Sequence, residues 1–156
     1  MKYAVRYDHF VKLFQITALE DGKYARKGDI GGWIETMSNL SQRGECWISK
    51  DACAVGDSRV LKNAFITGTA MVADCATVTG NAILTGNSAA LDEAFVTGNA
   101  IVCGESSIQD EAVISGRSII YGDTIICYNE IVNADVIIKE SDITPITKEP
   151  YTTWED

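Results

Sequence analysis

The stretch FVTGNAIVCGE, Phe95–Glu105, contains a unit of six residues in which a small residue, Ala100, is followed by Val102 and then by Gly104. The same spacing continues without insertion through sixteen units, Cys46–Ser141. The third position is apolar in all sixteen units, and the first is Ala, Ser, Thr or Cys in fourteen. This regularity predicts a repeat architecture in a single domain of 156 residues.

A period of six does not fit an α-helix, but it fits a short strand followed by a turn. Because side chains alternate along a strand, positions one and three share a face, which we expect to be the core. The fifth position is Gly in eight units, from Gly56 to Gly122, and Gly accepts the left-handed backbone that a sharp corner needs. The pattern therefore predicts an all-β fold, a parallel β-helix.

The repeat resembles that of the hexapeptide-repeat, left-handed β-helix superfamily. The segments GDIGGWIE (28–35), NLS (39–41) and ECWI (45–48) are similar to those of bacterial and prophage hexapeptide-repeat proteins, some of which carry a transferase label without a demonstrated activity. The resemblance implies a left-handed triangular prism with three units per coil, so that residues eighteen apart align. Sixteen units then give about five coils.

The chain divides into three expected parts. Residues 1–39 lack the six-residue period and are expected to form a small N-terminal β cap on the first coil, which hides its free backbone groups. The β-helix is expected over residues 40–141, and a short C-terminal tail over residues 142–156. Because the tail keeps apolar residues after Pro145, we expect it to pack on a face of its own or a neighbouring prism.

One outward column of the predicted prism is apolar along its whole length. Its position-two residues are Trp47, Phe65, Ile83, Ile101, Ile119 and Ile137, with Tyr121 beside them at position four. A soluble monomer rarely leaves such a stripe in water. The column predicts a subunit or partner interface, with cover by the chain's own cap or tail as the alternative.

One predicted corner is acidic where the others carry Gly and Asn. Its residues at positions five and six include Asp74, Asp92, Glu93, Asp110 and Glu111. Stacked like charges repel, so the plain interpretation is a solvated edge, and the sharper one is a recognition edge for a basic partner or a cation.

A single residue, Glu130, breaks the repeat by placing a carboxylate at an inward position reserved for small side chains. A buried lone carboxylate is costly. We therefore expect that Glu130 has a partner or that the coil opens there.

The composition restricts the chemistry that the chain can perform. The acyltransferases of the superfamily have their catalytic His within the repeat region, whereas the only His of this chain, His9, lies outside the repeat. A metal site with three His ligands is excluded, because the chain has a single His. Five cysteines, with no C-x-x-C pair, indicate reduced thiols and a cytoplasmic protein. The formal charge of −9 argues against direct binding to nucleic acid or to an anionic membrane. We expect no catalytic residue, metal or cofactor.

These observations favour a non-catalytic binding protein, a homo-oligomer associating through the apolar face. The resemblance to prophage proteins suggests a phage accessory protein that binds and blocks a host protein. The alternatives are an acyltransferase-like enzyme with a site between subunits, to which His9 of a neighbour would contribute, and a polymer-forming structural module. The sequence leaves open a small ligand between subunits.

Overall fold

The computed structural model describes residues 1–133 and 135–139. Beyond the N-terminal strands the protein is a parallel β-helix, as the repeat predicted. Two-residue strands recur every six residues, and successive strands belong to three different sheets, so that every third strand lies in the same sheet. They are β4 Trp47–Ile48, β5 Cys53–Ala54, β6 Arg59–Val60, β7 Phe65–Ile66, β8 Met71–Val72, β9 Thr77–Val78, β10 Ile83–Leu84, β11 Ala89–Ala90, β12 Phe95–Val96, β13 Ile101–Val102, β14 Ser107–Ile108, β15 Val113–Ile114, β16 Ile119–Ile120, β17 Ile125–Ile126, β18 Ile131–Val132 and β19 Ile137–Ile138.

The predicted eighteen-residue register is confirmed. Val96 pairs in parallel with Val78 on one side and with Ile114 on the other, and the same offset holds from β4 to β19. Third-position side chains from Ile48 to Val132 are buried, and small first-position residues such as Ala100 fill the space between them. The core is therefore a set of vertical ladders, in which each aliphatic side chain stacks on its equivalent one coil away.

The corners turn at the fifth position of the repeat, where the backbone is left-handed. Gly86 has φ 67°, and its backbone lies so close to Gly104 of the next coil that a Cβ atom would come within 2.9 Å of the Gly104 nitrogen. Glycine at this column therefore serves both the corner conformation and the close stacking of coils. A second column uses Asp in the same conformation, with Asp92 at φ 56°.

The N-terminal residues form three longer strands, β1 Tyr3–Asp8, β2 Leu13–Ala18 and β3 Ile30–Ile34. They pair antiparallel, and β3 then pairs in parallel with β5, so that they continue one sheet of the prism in the order β1-β2-β3-β5-β8-β11-β14-β17. A 3-10 helix, Met37–Asn39, follows at the corner.

The β-helical ladder begins before residue 40, which the repeat suggested as its start. Ile34 pairs with Ala54, and Leu40 bridges to Val60 on the next face. The close approach of β3 to β5 requires glycine at Gly32, because a Cβ atom there would lie 2.3 Å from the carbonyl oxygen of Ala52. The tail expected over residues 142–156, with its predicted packing on a face, lies outside the described residues.

Candidate interaction surface

The apolar column predicted from the sequence is one continuous ladder. It lies on the outside of the six-stranded sheet, in the order β4-β7-β10-β13-β16-β19. Within this sheet Ile101 is paired with Ile83 on one side and with Ile119 on the other. We call the outward residues of these six strands the stripe; they are Trp47, Phe65, Ile83, Ile101, Ile119 and Ile137.

The chain itself covers the first two residues of the stripe. Trp47 is only 5% exposed. The ring of Tyr24, from the loop between β2 and β3, stacks on Phe65 with centroids 4.1 Å apart and planes 3° from parallel. At this end of the sheet the alternative named above applies, since the chain's own N-terminal segment contacts Phe65 and Trp47 is buried.

The part of the chain that the structure describes makes no comparable ring contact with the other four residues of the stripe. Ile83, Ile101 and Ile119 are half-buried, and Ile137 is 66% exposed. The neighbouring position-four residues are Thr85, Cys103 and Tyr121, each half-buried, and the exposed Lys139. Within the described residues, this arrangement gives an apolar ridge about four coils long, suited to contact with another apolar surface.

The acidic corner is built differently from what its charges suggested. The carboxylate of Asp74 accepts a hydrogen bond from the backbone N–H of Asp92, at 3.0 Å, and that of Asp92 accepts one from Asp110, at 2.9 Å. Asp110 does the same for Tyr128, at 2.8 Å. We call this arrangement the Asp ladder. Each Asp therefore supplies an acceptor to a corner N–H of the following coil, a role that the sequence analysis missed.

Two further acids, Glu93 and Glu111, lie exposed beside the Asp ladder and line an open groove with Tyr128 and Asn129. Among the described residues, no group of three or more His, Cys, Asp and Glu side chains is arranged to hold a metal ion. The structural role of the ladder carboxylates favours the plain interpretation of this edge, whereas recognition of a basic partner remains a prediction.

Glu130 is buried, and its coil stays hydrogen-bonded to the preceding coil. Glu130 is 5% exposed, and its carbonyl oxygen accepts a hydrogen bond from the N–H of Val113 at 2.8 Å. The next residues, Ile131 and Val132, keep their parallel pairing. The residue that breaks the repeat in the sequence therefore keeps the regular backbone.

The groups that could act in catalysis are spread over the molecule. His9 is exposed at the tip of the β1–β2 hairpin, edge-on to the ring of Tyr7 at 4.9 Å. Burial raises the pKa of the Cys53 and Cys103 thiols. Burial, with the nearby acids Asp110 and Glu130, also raises the pKa of Cys127. A raised pKa reduces the fraction of reactive thiolate, which disfavours these three thiols as nucleophiles.

The fold and the six-residue repeat define a hexapeptide-repeat parallel β-helix. No protein-family profile matches the chain. A segment of 63 residues is 40% identical to a protein of Escherichia coli K12 named an uncharacterized acetyltransferase, YdcK. The match covers 40% of this chain and 19% of the length of that protein. No helix among the described residues is long and apolar enough to cross a membrane.

Proposed function

We propose that the chain is a subunit of a self-associating β-helix assembly of the acyltransferase type, in which any substrate groove lies between neighbouring subunits. The observation that carries the association is the stripe, where, among the described residues, Ile83, Ile101 and Ile119 are half-buried and Ile137 is 66% exposed. Burying half of each of these side chains contributes about 3–6 kcal/mol per subunit towards association, which must offset a cost of about 4–15 kcal/mol in lost translational and rotational freedom.

The partial similarity to a protein named an acetyltransferase supports the enzymatic part of this proposal. Within one chain, His9 lies at the tip of the β1–β2 hairpin, and the stripe lies on a different sheet from these two strands. A general base for acyl transfer would therefore have to come from a neighbouring subunit, with His9 as the candidate. A small ligand, such as an acyl carrier, would then bind between prisms.

A non-catalytic binding protein is the second candidate. It is favoured by the stripe itself, whose side chains are suited to contact and carry no acid–base group, and by the raised pKa of the nearby Cys103 thiol. In this case the stripe would bind a host protein, as in the phage accessory role suggested by the sequence resemblance.

The experiment replaces two open residues of the stripe, Ile83→Asp with Ile101→Asp, and measures the native mass by light scattering. The control is Phe95→Asp, because Phe95 is an outward apolar position-two residue on another sheet, with 39% of its surface exposed. We expect the double variant to lose the assembly with unchanged β circular dichroism, while the control keeps it. If the double variant retains the wild-type mass, the stripe is not the interface.

Calorimetry with acetyl-CoA then separates the two candidates. Binding by the wild-type assembly that is lost in both the double variant and His9→Ala supports a site between subunits. Assembly without any heat of binding supports the non-catalytic candidate instead.

A further inference from the structure

The side-chain amine of Lys2 is held against the thiol of Cys46. Its Nζ atom lies 3.2 Å from the Cys46 Sγ atom and 2.8 Å from the carbonyl oxygen of the same residue. The carbonyl oxygens of Gly44 and Arg43 lie further away, at 3.3 and 3.5 Å. The Lys2 amine therefore contacts the buried Cys46 thiol, which occupies position one of the first repeat unit.

The side chain of Gln42 holds the backbone of Lys2 and Tyr3 in place. The Oε1 atom of Gln42 accepts hydrogen bonds from the N–H of Lys2 at 2.6 Å and of Tyr3 at 3.2 Å, and its amide donates back to the Tyr3 carbonyl at 3.1 Å. The side chain of Gln42 thus pairs with the outer edge of β1 as a neighbouring strand would. Lys2 is consequently held in place before any covalent chemistry begins.

The sulfur is held as firmly as the amine. Cys46 is fully buried, and the carbonyl oxygens of Ser41, Arg43 and Val60 lie 3.5–3.6 Å from its Sγ atom. A small cavity lined by Lys2, Cys46, Trp47 and residues of the β2–β3 loop lies beside the pair. A small oxidant that enters this cavity would lie beside the two residues that carry the reacting atoms.

We propose that Lys2 and Cys46 form an oxidative crosslinking site, in which hydrogen peroxide joins the Nζ and Sγ atoms through a sulfenamide bond. In the first step the thiol attacks peroxide, the O–O bond breaks, and one oxygen stays on sulfur as a sulfenic acid while the other leaves as water. In the second step the deprotonated amine of Lys2 attacks the sulfur, the S–O bond breaks, and a second water leaves. Sulfur is oxidised by two electrons, and peroxide is reduced to two molecules of water.

The link would close a loop that contains all three N-terminal strands and the segment that carries Tyr24. Since Tyr24 of this segment stacks on Phe65, crosslinking would fix that contact at one end of the stripe. A crosslink that closes a long loop stabilises the folded chain mainly by restricting the unfolded one. The expected consequence is a melting temperature several degrees higher after peroxide treatment, returning to its starting value after reduction with dithiothreitol.

The test is peptide mass spectrometry of the full chain treated with hydrogen peroxide and digested with trypsin without reductant. We expect residues 1–6 to be joined to residues 44–50, because the modified Lys2 no longer permits cleavage, with a mass about 2 Da below the sum of the two peptides. Dithiothreitol should release both peptides. Oxidation of Cys75, which is exposed, shows that the dose was sufficient.

The matched control is Lys2→Arg, which keeps the positive charge but provides a guanidinium that stays protonated and cannot attack the sulfur. This variant should show neither the joined peptide nor the rise in melting temperature. The proposal is overturned if wild-type protein with oxidised Cys75 keeps the two peptides separate. It is equally overturned if the Lys2→Arg chain shows the same mass loss, since another amine would then be the partner.

Discussion

Substitutions of Asp92 can show whether the Asp ladder stabilises the corner through its backbone conformation and hydrogen bonds or through its negative charge. Asp92 combines two properties, a left-handed backbone at φ 56° and a carboxylate 2.9 Å from the N–H of Asp110. Asp92→Ala removes both, because alanine tolerates this conformation poorly and has no acceptor. Asp92→Asn keeps an acceptor oxygen and a side chain suited to the left-handed region, and removes only the charge.

The two contributions set the expected magnitude. An L-residue without a polar side chain loses about 1–2 kcal/mol in the left-handed region. The lost hydrogen bond adds about 0.5–1 kcal/mol, at the lower end of the usual range because the site is exposed. Asp92→Ala should therefore lower the free energy of unfolding by about 2 kcal/mol, which corresponds to a melting temperature about 4–8 °C lower for a chain of this size.

The measurement is urea and thermal unfolding followed by far-UV circular dichroism. Glu93→Ala is the matched control, since Glu93 is the adjacent acid, is also exposed, and lies outside the ladder; it should change stability by less than about 0.5 kcal/mol. Asp92→Asn should equal or exceed the wild type, because one of the stacked charges is gone. If Asp92→Asn is as unstable as Asp92→Ala, the charge matters rather than the acceptor, and the reasoning is refuted.

Three further substitutions test other parts of the fold. Gly32→Ala would place a Cβ atom 2.3 Å from the carbonyl oxygen of Ala52, so it should cost about 3 kcal/mol or more in urea unfolding. Val96→Ala, in the buried ladder, should cost about 2–3 kcal/mol by the same measurement without changing the β content. Burial, aided by Cys46, raises the pKa of Tyr3 from 10.0 to about 12, so its stabilising effect is complete below pH 10 and is lost as the pH rises towards 12. Urea midpoints over this range should fall more steeply in the wild type than in Tyr3→Phe, and equal slopes would contradict that assignment.

The repeat predicted the ladders because its positions correspond directly to directions in space. A small residue at position one and an aliphatic residue at position three predict which side chains face inward, and the period of eighteen predicts the stacking of Val78, Val96 and Ile114. The apolar stripe followed from the same reasoning applied to position two. These predictions depended only on periodicity, and the structure confirms the positions that they assigned.

The covered end of the stripe could not be predicted, because it depends on a loop without a period. Nothing in the sequence near Tyr24 indicates that its ring reaches Phe65, which is 41 residues further along the chain. The start of the ladder was missed for a related reason. Ile34 is offset by twenty residues from Ala54, whereas Trp47 is offset by eighteen from Phe65, so two extra residues in the first coil hide it from a search for a strict repeat.

The six positions of each repeat unit have different structural roles, and these roles limit which positions can contribute to function. Positions one and three fill the core, and positions five and six form the corner and its bonds to the next coil, as the Asp ladder shows even for carboxylates. Within the repeat, positions two and four point outward and can vary with the least effect on the fold. On the described sheet of the stripe these positions have isoleucines that neither the core nor the corners require. The fold does not explain these isoleucines, and they therefore support the proposed contact with another surface. The stacking of Tyr24 on Phe65 is an example of such a contact at one end of the stripe.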